Sequence, residues 1–313
     1  MAVFDANSLD DVPASRLDSA ACARSDAPGA DDVAATGGGG EEVAAGGNVG
    51  QESAQELAPA EFVAAFPQVA GVDMPGLDGR LPSRVASFAR RSGRLPERGQ
   101  RLWEEAHGDV VVDVKRGPGM TTVALDYQLD VEALFGRSAP LLVEVGCGNG
   151  EALVAHAKAN PHINHLAFEV WRPGVVGVLR GVKEAGVTNV RVVEADAAQA
   201  LPVLLTPASV SELWTFFPDP WRKARHHKRR LVSPAYAQTV ANLLVDGGIW
   251  RLATDWESYA EQMGEVLRGA TDVFETTGQP GERFAGRVLT RFEQKGIDAG
   301  RQIADFTATR RTR

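Results

Sequence analysis

From Pro140 onward, short runs of apolar, β-favouring residues alternate with longer stretches in which apolar positions recur every three to four residues. That alternation is the pattern of a parallel sheet whose strands are joined by crossover helices. It predicts strands over 141–145, 165–170, 190–193, 213–217 and 248–253, with helices over 151–159, 174–185, 234–244 and 259–267. Two late strands are expected near 272–275 and 288–292. The first run, Leu141 to Val145, is apolar except for Glu144, so an acid sits where a buried strand ends. No internal repeat is visible.

The pattern fails upstream. Residues 1–79 are rich in Ala, Gly, Asp and Ser, include the run Gly37 to Gly40, and sustain neither a period of 2 nor one of 3.6. They read as a disordered tail. Residues 80–313 then form the folded domain, with 80–115 as a basic N-terminal arm and 140–296 as the core. In the arm, Arg80, Arg84, Arg90, Arg91, Arg94, Arg98 and Arg101 interleave with Phe88 and Trp103. Such a segment is either a solvated helix and loop or a surface whose guanidinium forks meet phosphate oxygens.

Charge changes the picture only once it is divided. The net charge of −8 argues against a nucleic-acid partner. However, residues 1–80 hold 14 acids against 3 bases, a balance of −11, which leaves 27 acids and 30 bases, or +3, for the remainder. The acidity belongs to the tail. No run of 18 apolar residues and no basic-then-apolar leader occurs, so a soluble, cytoplasmic protein without membrane association is expected. Two cysteines, Cys22 and Cys147, make neither a zinc cage nor a credible disulfide pair, and no metal is expected.

Four stretches carry chemistry. Glu144 to Glu151 places Gly146, Gly148 and Gly150 where the first strand turns into the first helix of the core, a position where backbone must approach a ligand closely. The spacing G-x-G-x-G differs from the G-x-G-x-x-G that aims a helix at a pyrophosphate, which disfavours a nicotinamide oxidoreductase. A carboxylate at Glu144 suits an ammonium group. Glu169, ending the second strand, can accept both hydroxyls of a ribose. Asp196, after the third, can accept an adenine amine or cap a helix. The block Phe216 to Arg230 contains Asp219 between two prolines and beside aromatic rings, followed by six Lys/Arg and two His within nine residues. A rigid acid beside flat rings suits a base, and the cations suit phosphates.

These motifs, with Arg172-Pro173-Gly174, Ala253-Thr254-Asp255-Trp256 and Thr290-Arg291-Phe292-Glu293, resemble in order the bacterial tRNA (guanine-N7)-methyltransferases over about residues 87–296. The resemblance implies an α/β, Rossmann-like class I methyltransferase fold: a mostly parallel seven-stranded sheet with helices on both faces. It implies S-adenosylmethionine as donor and tRNA as substrate, methylated at variable-loop guanine 46, with no obligatory protein partner. Donor contacts are implied at Glu144, Gly146, Gly148, Gly150, Glu169, Asp196 and Asp219, with Asp219 catalytic. Substrate contacts are implied at Lys223, Asp255, Thr290, Arg291, Phe292 and Glu293. RNA-backbone contacts are expected at Arg90, Arg91, Arg94, Arg225, Lys228, Arg229 and Arg230. A tRNA-binding scaffold without turnover is the non-enzymatic alternative, disfavoured because an acid stands at each expected position.

Overall fold

The computed structural model describes residues 95–119 and 121–313. The tail and residues 80–94 of the basic arm, with Arg90, Arg91 and Arg94, lie outside the described residues.

Two short helices lead into the core. The first, α1 (Glu97–Ala106), follows Pro96. The second, α2 (Val131–Phe135), starts where the Asp130 carboxylate accepts from the Ala133 N–H and stops at Gly136, in the left-handed region. The core then alternates: β1 (Leu141–Val145), α3 (Glu151–Ala159), β2 (Asn164–Phe168), α4 (Arg172–Ala185), β3 (Val190–Val193), α5 (Ala197–Leu204), β4 (Val210–Phe216), α6 (Pro234–Leu243), β5 (Leu244–Thr254) and α7 (Glu257–Arg268). The last elements are β6 (Phe274–Glu275), α8 (Arg291–Asp298) and β7 (Ala304–Arg310).

The seven strands lie in the order β3-β2-β1-β4-β5-β7-β6. The first five are parallel, and β7 runs antiparallel to both β5 and β6. Strand pleating sends alternate side chains to opposite faces. Leu141, Val143 and Val145 join the core beneath α5, α6 and α7, whereas Leu142 joins the one beneath α3 and α4. Helices on both faces explain the near-continuous apolar reading of the central strands. The chain reverses its order between β1 and β4, which opens a crevice at the carboxyl ends of those two strands.

Two departures from the sequence reading matter. Residues 288–292 are not a strand: Val288 and Leu289 are exposed, and Thr290 starts α8 by accepting the Glu293 N–H on its hydroxyl. The strand that completes the sheet is β7, beyond residue 296, where Phe306 and Ala308 turn inward. Helix α5 also went unforeseen, because it is apolar nearly all round and contains Pro202. A helix buried on most of its surface shows no amphipathic period.

Candidate active site

The loop after β1 reverses the chain through three glycines of positive φ, Gly146 (71°), Gly148 (55°) and Gly150 (73°). A Cβ added at Gly146 or Gly148 would point into open space, so the loop leaves room above its backbone. At Gly150 the same atom would lie 2.7 Å from Val178 Cγ2 on α4. Gly150→Ala therefore combines left-handed strain with a steric clash, and is expected to destabilise the fold by roughly 2–4 kcal/mol. Gly146→Ala carries the strain alone and should lose about 1–2 kcal/mol. Denaturant midpoints of the two variants check the difference.

Three acids end the neighbouring strands. Glu144 is buried, and its Oε2 has no hydrogen-bond partner. Burial pushes its carboxyl up to about 8; the nearby Glu169 adds to the rise and Arg287 opposes it. Glu169 follows β2 and accepts three backbone N–H groups, from Gly148 at Oε2 and from Val170 and Trp171 at Oε1, each at 2.8 Å. It thereby ties the glycine loop to the start of α4. Burial raises its carboxyl, the three N–H donors reduce that rise, and the charge of Asp219 adds to it. Asp196, after β3, accepts the Ala198 N–H at 3.0 Å and caps α5. The sequence had left capping and ligand contact open for this residue, and the cap is present.

Asp219 leaves the end of β4 on a turn of unusual backbone. Phe217 and Trp221, either side of Pro218-Asp219-Pro220, have φ of 50° and 44°. Non-glycine residues rarely adopt this region, and such strain persists only where surrounding contacts hold it. The Phe217 N–H donates to Ala253 O at 2.8 Å, and Arg230 Nε donates to Pro220 O at 2.9 Å. Asp219 is exposed at the crest of this turn, yet close enough to Glu169 to act on its ionisation.

The basic row divides in two. Lys223, Arg225, Lys228 and Arg229 are exposed on a single 3-10 segment and its approach, and Arg229 stacks over Trp221 at 5.0 Å. Arg230, for which an RNA-backbone contact is expected from the sequence, is set apart from the four exposed cations. It is buried, donates to Pro220 O, Ser258 O, Ser258 Oγ and Gln262 Oε1, and lies over the Tyr259 ring. Its donors pin the Asp219 turn to α7.

The segment around α8 closes the same edge. The Arg291 N–H and guanidinium both bond Glu151 at the start of α3. Phe292 is exposed, with its ring 5.4 Å from that of Phe217. Glu293 differs from the expectation of a direct substrate contact. It is fully enclosed, and its carboxylate takes Arg283 at 2.9 and 3.0 Å and Arg287 at 3.3 and 3.0 Å. Burial alone would raise this carboxyl; the two guanidiniums more than reverse that. Asp255, at the end of β5, is held by Arg301 Nε at 2.7 Å. Thus Glu144, Glu169, Asp219, the glycine loop and Phe292 converge on one edge. The sequence reading missed Arg287 and Arg301, since nothing in an isolated arginine reports which acid it meets in the fold. It also missed the Arg172–Glu194 pair (2.9 and 2.7 Å), in which Arg172 stacks over Trp103.

A sheet in this order, with a glycine loop after β1 and acids ending three adjacent strands, defines a Rossmann-like methyltransferase. Residues 138–306 match a family model described as a putative methyltransferase. The chain is 42% identical over 283 residues to the tRNA (guanine-N(7)-)-methyltransferase of Paenarthrobacter aurescens, covering 74% of this chain and 94% of that protein. It is 42% identical to the same-named protein of Cutibacterium acnes (80% and 96% covered) and 46% identical to that of a Nocardioides species (75% and 90%). Among solved structures, the 16S rRNA methyltransferase KamB aligns with 59% of this chain and 95% of its own at 16% identity, with a TM-score of 0.44. The chain belongs to the tRNA (guanine-N7-)-methyltransferase family.

Proposed function

We propose that this protein transfers a methyl group from S-adenosylmethionine to N7 of a guanine in tRNA, at position 46 of the variable loop. The observation that carries the reading is Glu144: a buried carboxyl with an unpartnered oxygen, beside a glycine loop with open space above it. A carboxyl left in that state lacks the cation that would keep it ionised, and an amino-acid ammonium fits the role. Glu144 would hold that ammonium, Glu169 the ribose hydroxyls and Asp196 the adenine amine, with Asp219 beside the reacting end. When bound, S-adenosylmethionine supplies an electrophilic methyl group on a sulfonium.

Guanine N7 has an in-plane lone pair, so no proton has to leave before it reacts. The residues around the base are then left with orientation and charge stabilisation. Asp219 fixes the base and stabilises the positive charge that develops on its ring. Phe292 and Phe217, their rings tilted 52° to each other, line the space beside it, and Asp255 selects guanine through N1 or N2. Incubation with methyl-labelled donor and unmodified tRNA, then nucleoside analysis, tests the reading; label absent from 7-methylguanosine overturns it.

The exposed cations have their own test. Replacing Lys223, Arg225, Lys228 and Arg229 together by Ala is expected to weaken tRNA binding and flatten its salt dependence. Each lost phosphate contact removes about 0.7–0.9 from the slope of log affinity against log salt. An unchanged slope places the backbone elsewhere. Among the described residues no helix is long and apolar enough to cross a membrane.

A further inference from the structure

Among the described residues, Arg287 links β7, the start of α8 and the end of β4 through one side chain. Its side chain is completely buried. Two of its nitrogens reach Asp305 on β7, and Nε and Nη2 reach Glu293 on α8. Its guanidinium carbon lies over the rings of Phe216 at 4.8 Å and Phe217 at 5.4 Å, the residues that lead into the Asp219 turn. Its charge also acts on Glu144. Arg283, on the far side of Glu293, completes a neutral set of two guanidiniums and two carboxylates. A planar fork can satisfy two acids and stack on two rings at once; an ammonium cannot.

We propose that Arg287 is a positioning residue for methyl transfer, holding the Phe217–Asp219 turn and the N-terminus of α8 in one arrangement against the donor-side acid Glu144. The proposal rests on the function given above. Arg287 touches no reacting group, so its effect passes through Asp219, Phe292 and Glu144. Among the described residues, the titratable or charged groups that bear on Glu144 are Glu169 at the end of β2, Cys147 in the following loop, and Arg287. Of these only Arg287 favours the ionised acid.

The test compares R287K and R287Q in the full-length chain, with rates expressed per donor-binding site and S-adenosylmethionine as the binding probe. R287K keeps the charge and loses the fork. Single-turnover methylation of unmodified tRNA by R287K is expected to fall at least about tenfold, because a small misplacement of reacting groups is costly in rate. The tRNA concentration for half-maximal rate should change less than about threefold, since the exposed cations are untouched. In R287Q the pH midpoint of donor binding should move upward, while R287K keeps the native midpoint. R287Q leaves two buried acids short of a partner; if it does not fold, the R287K rate alone decides.

A R287K enzyme that turns over as fast per site as the native one, with only a lowered unfolding midpoint, overturns the proposal and leaves Arg287 a structural pillar. An unmoved midpoint in folded R287Q overturns its link to Glu144. Failure of the functional reading looks different: the native chain itself would leave tRNA unmethylated.

Discussion

Asp219→Asn is expected to fold, bind donor within about tenfold of the native affinity, and lose roughly 10²–10³ in single-turnover methylation, on the order of 3–4 kcal/mol of transition-state stabilisation. The substitution keeps the shape of the side chain and removes only its charge. Charge is the property that matters here: as N7 gains a methyl group the purine becomes cationic, and a fixed carboxylate close by lowers the energy of that state more than of the neutral base. The turn is built to keep this carboxylate in place. Phe217 and Trp221 hold φ of 50° and 44°, each costing about 1–3 kcal/mol, and Pro218 and Pro220 remove two backbone donors from the competition for a regular ladder. The Phe217 N–H bond to Ala253 O and the Arg230 bond to Pro220 O hold the two ends. Donor binding is expected to be largely spared, because the proposed donor contacts Glu144, Glu169 and Asp196 stand on other strands. A folded Asn variant with native turnover would remove Asp219 from the chemistry. A native rate that rises with pH along a single carboxylate titration would instead make Asp219 a base.

The parts of this molecule legible in its sequence are those in which one residue's chemistry is decided by its immediate neighbours. Strands β1 and β3 and helix α3 were placed to the residue, since the strands are short, mostly apolar runs and the helix starts directly after the glycine turn. Glu144, Glu169 and Asp219 stood out because each is an acid at the end of an apolar strand. Residues 288–292 misled because Val-Leu-Thr-Arg-Phe alternates plausibly as a strand. The competing signal, Thr290 followed by Glu293, has the spacing of a helix-capping box and was the better guide. Strand β7 hid behind Asp305, a buried acid whose guanidinium partner, Arg287, lies 18 residues earlier in the chain. The same limit explains Arg230 and Glu293: both are charged residues inside the motifs singled out above, and both direct their charge inward to partners brought close only by the fold.

The second large effect separates stability from function at Glu144. Its carboxyl stands at about 8 in the fold against 4.5 for an ordinary glutamate, with burial as the main cause. Below pH 4.5 folded and unfolded chains both hold the proton, and the acid exacts no penalty. Between 4.5 and about 8 the unfolded chain releases a proton that the folded one retains. Stability therefore declines as pH rises through that window and levels off above it, at a total on the order of 4 kcal/mol, reduced by whatever water reaches the site. Glu144→Gln has the shape of the protonated acid and cannot ionise. The ligand-free Gln variant is thus expected to match the native protein near pH 4 and to exceed it by several kcal/mol at pH 8.5, measured as a denaturant midpoint. Its donor affinity should fall at least about tenfold, the loss expected when a charge-assisted bond becomes a neutral one. Native binding should also release a proton near pH 7, visible as a buffer-dependent heat in calorimetry, and the Gln variant should release none. A variant that binds donor as tightly as the native chain would show that the ammonium lies elsewhere. One that gains no stability at high pH would show that Glu144 is already ionised and partnered in the unliganded protein, leaving the donor no free carboxyl there.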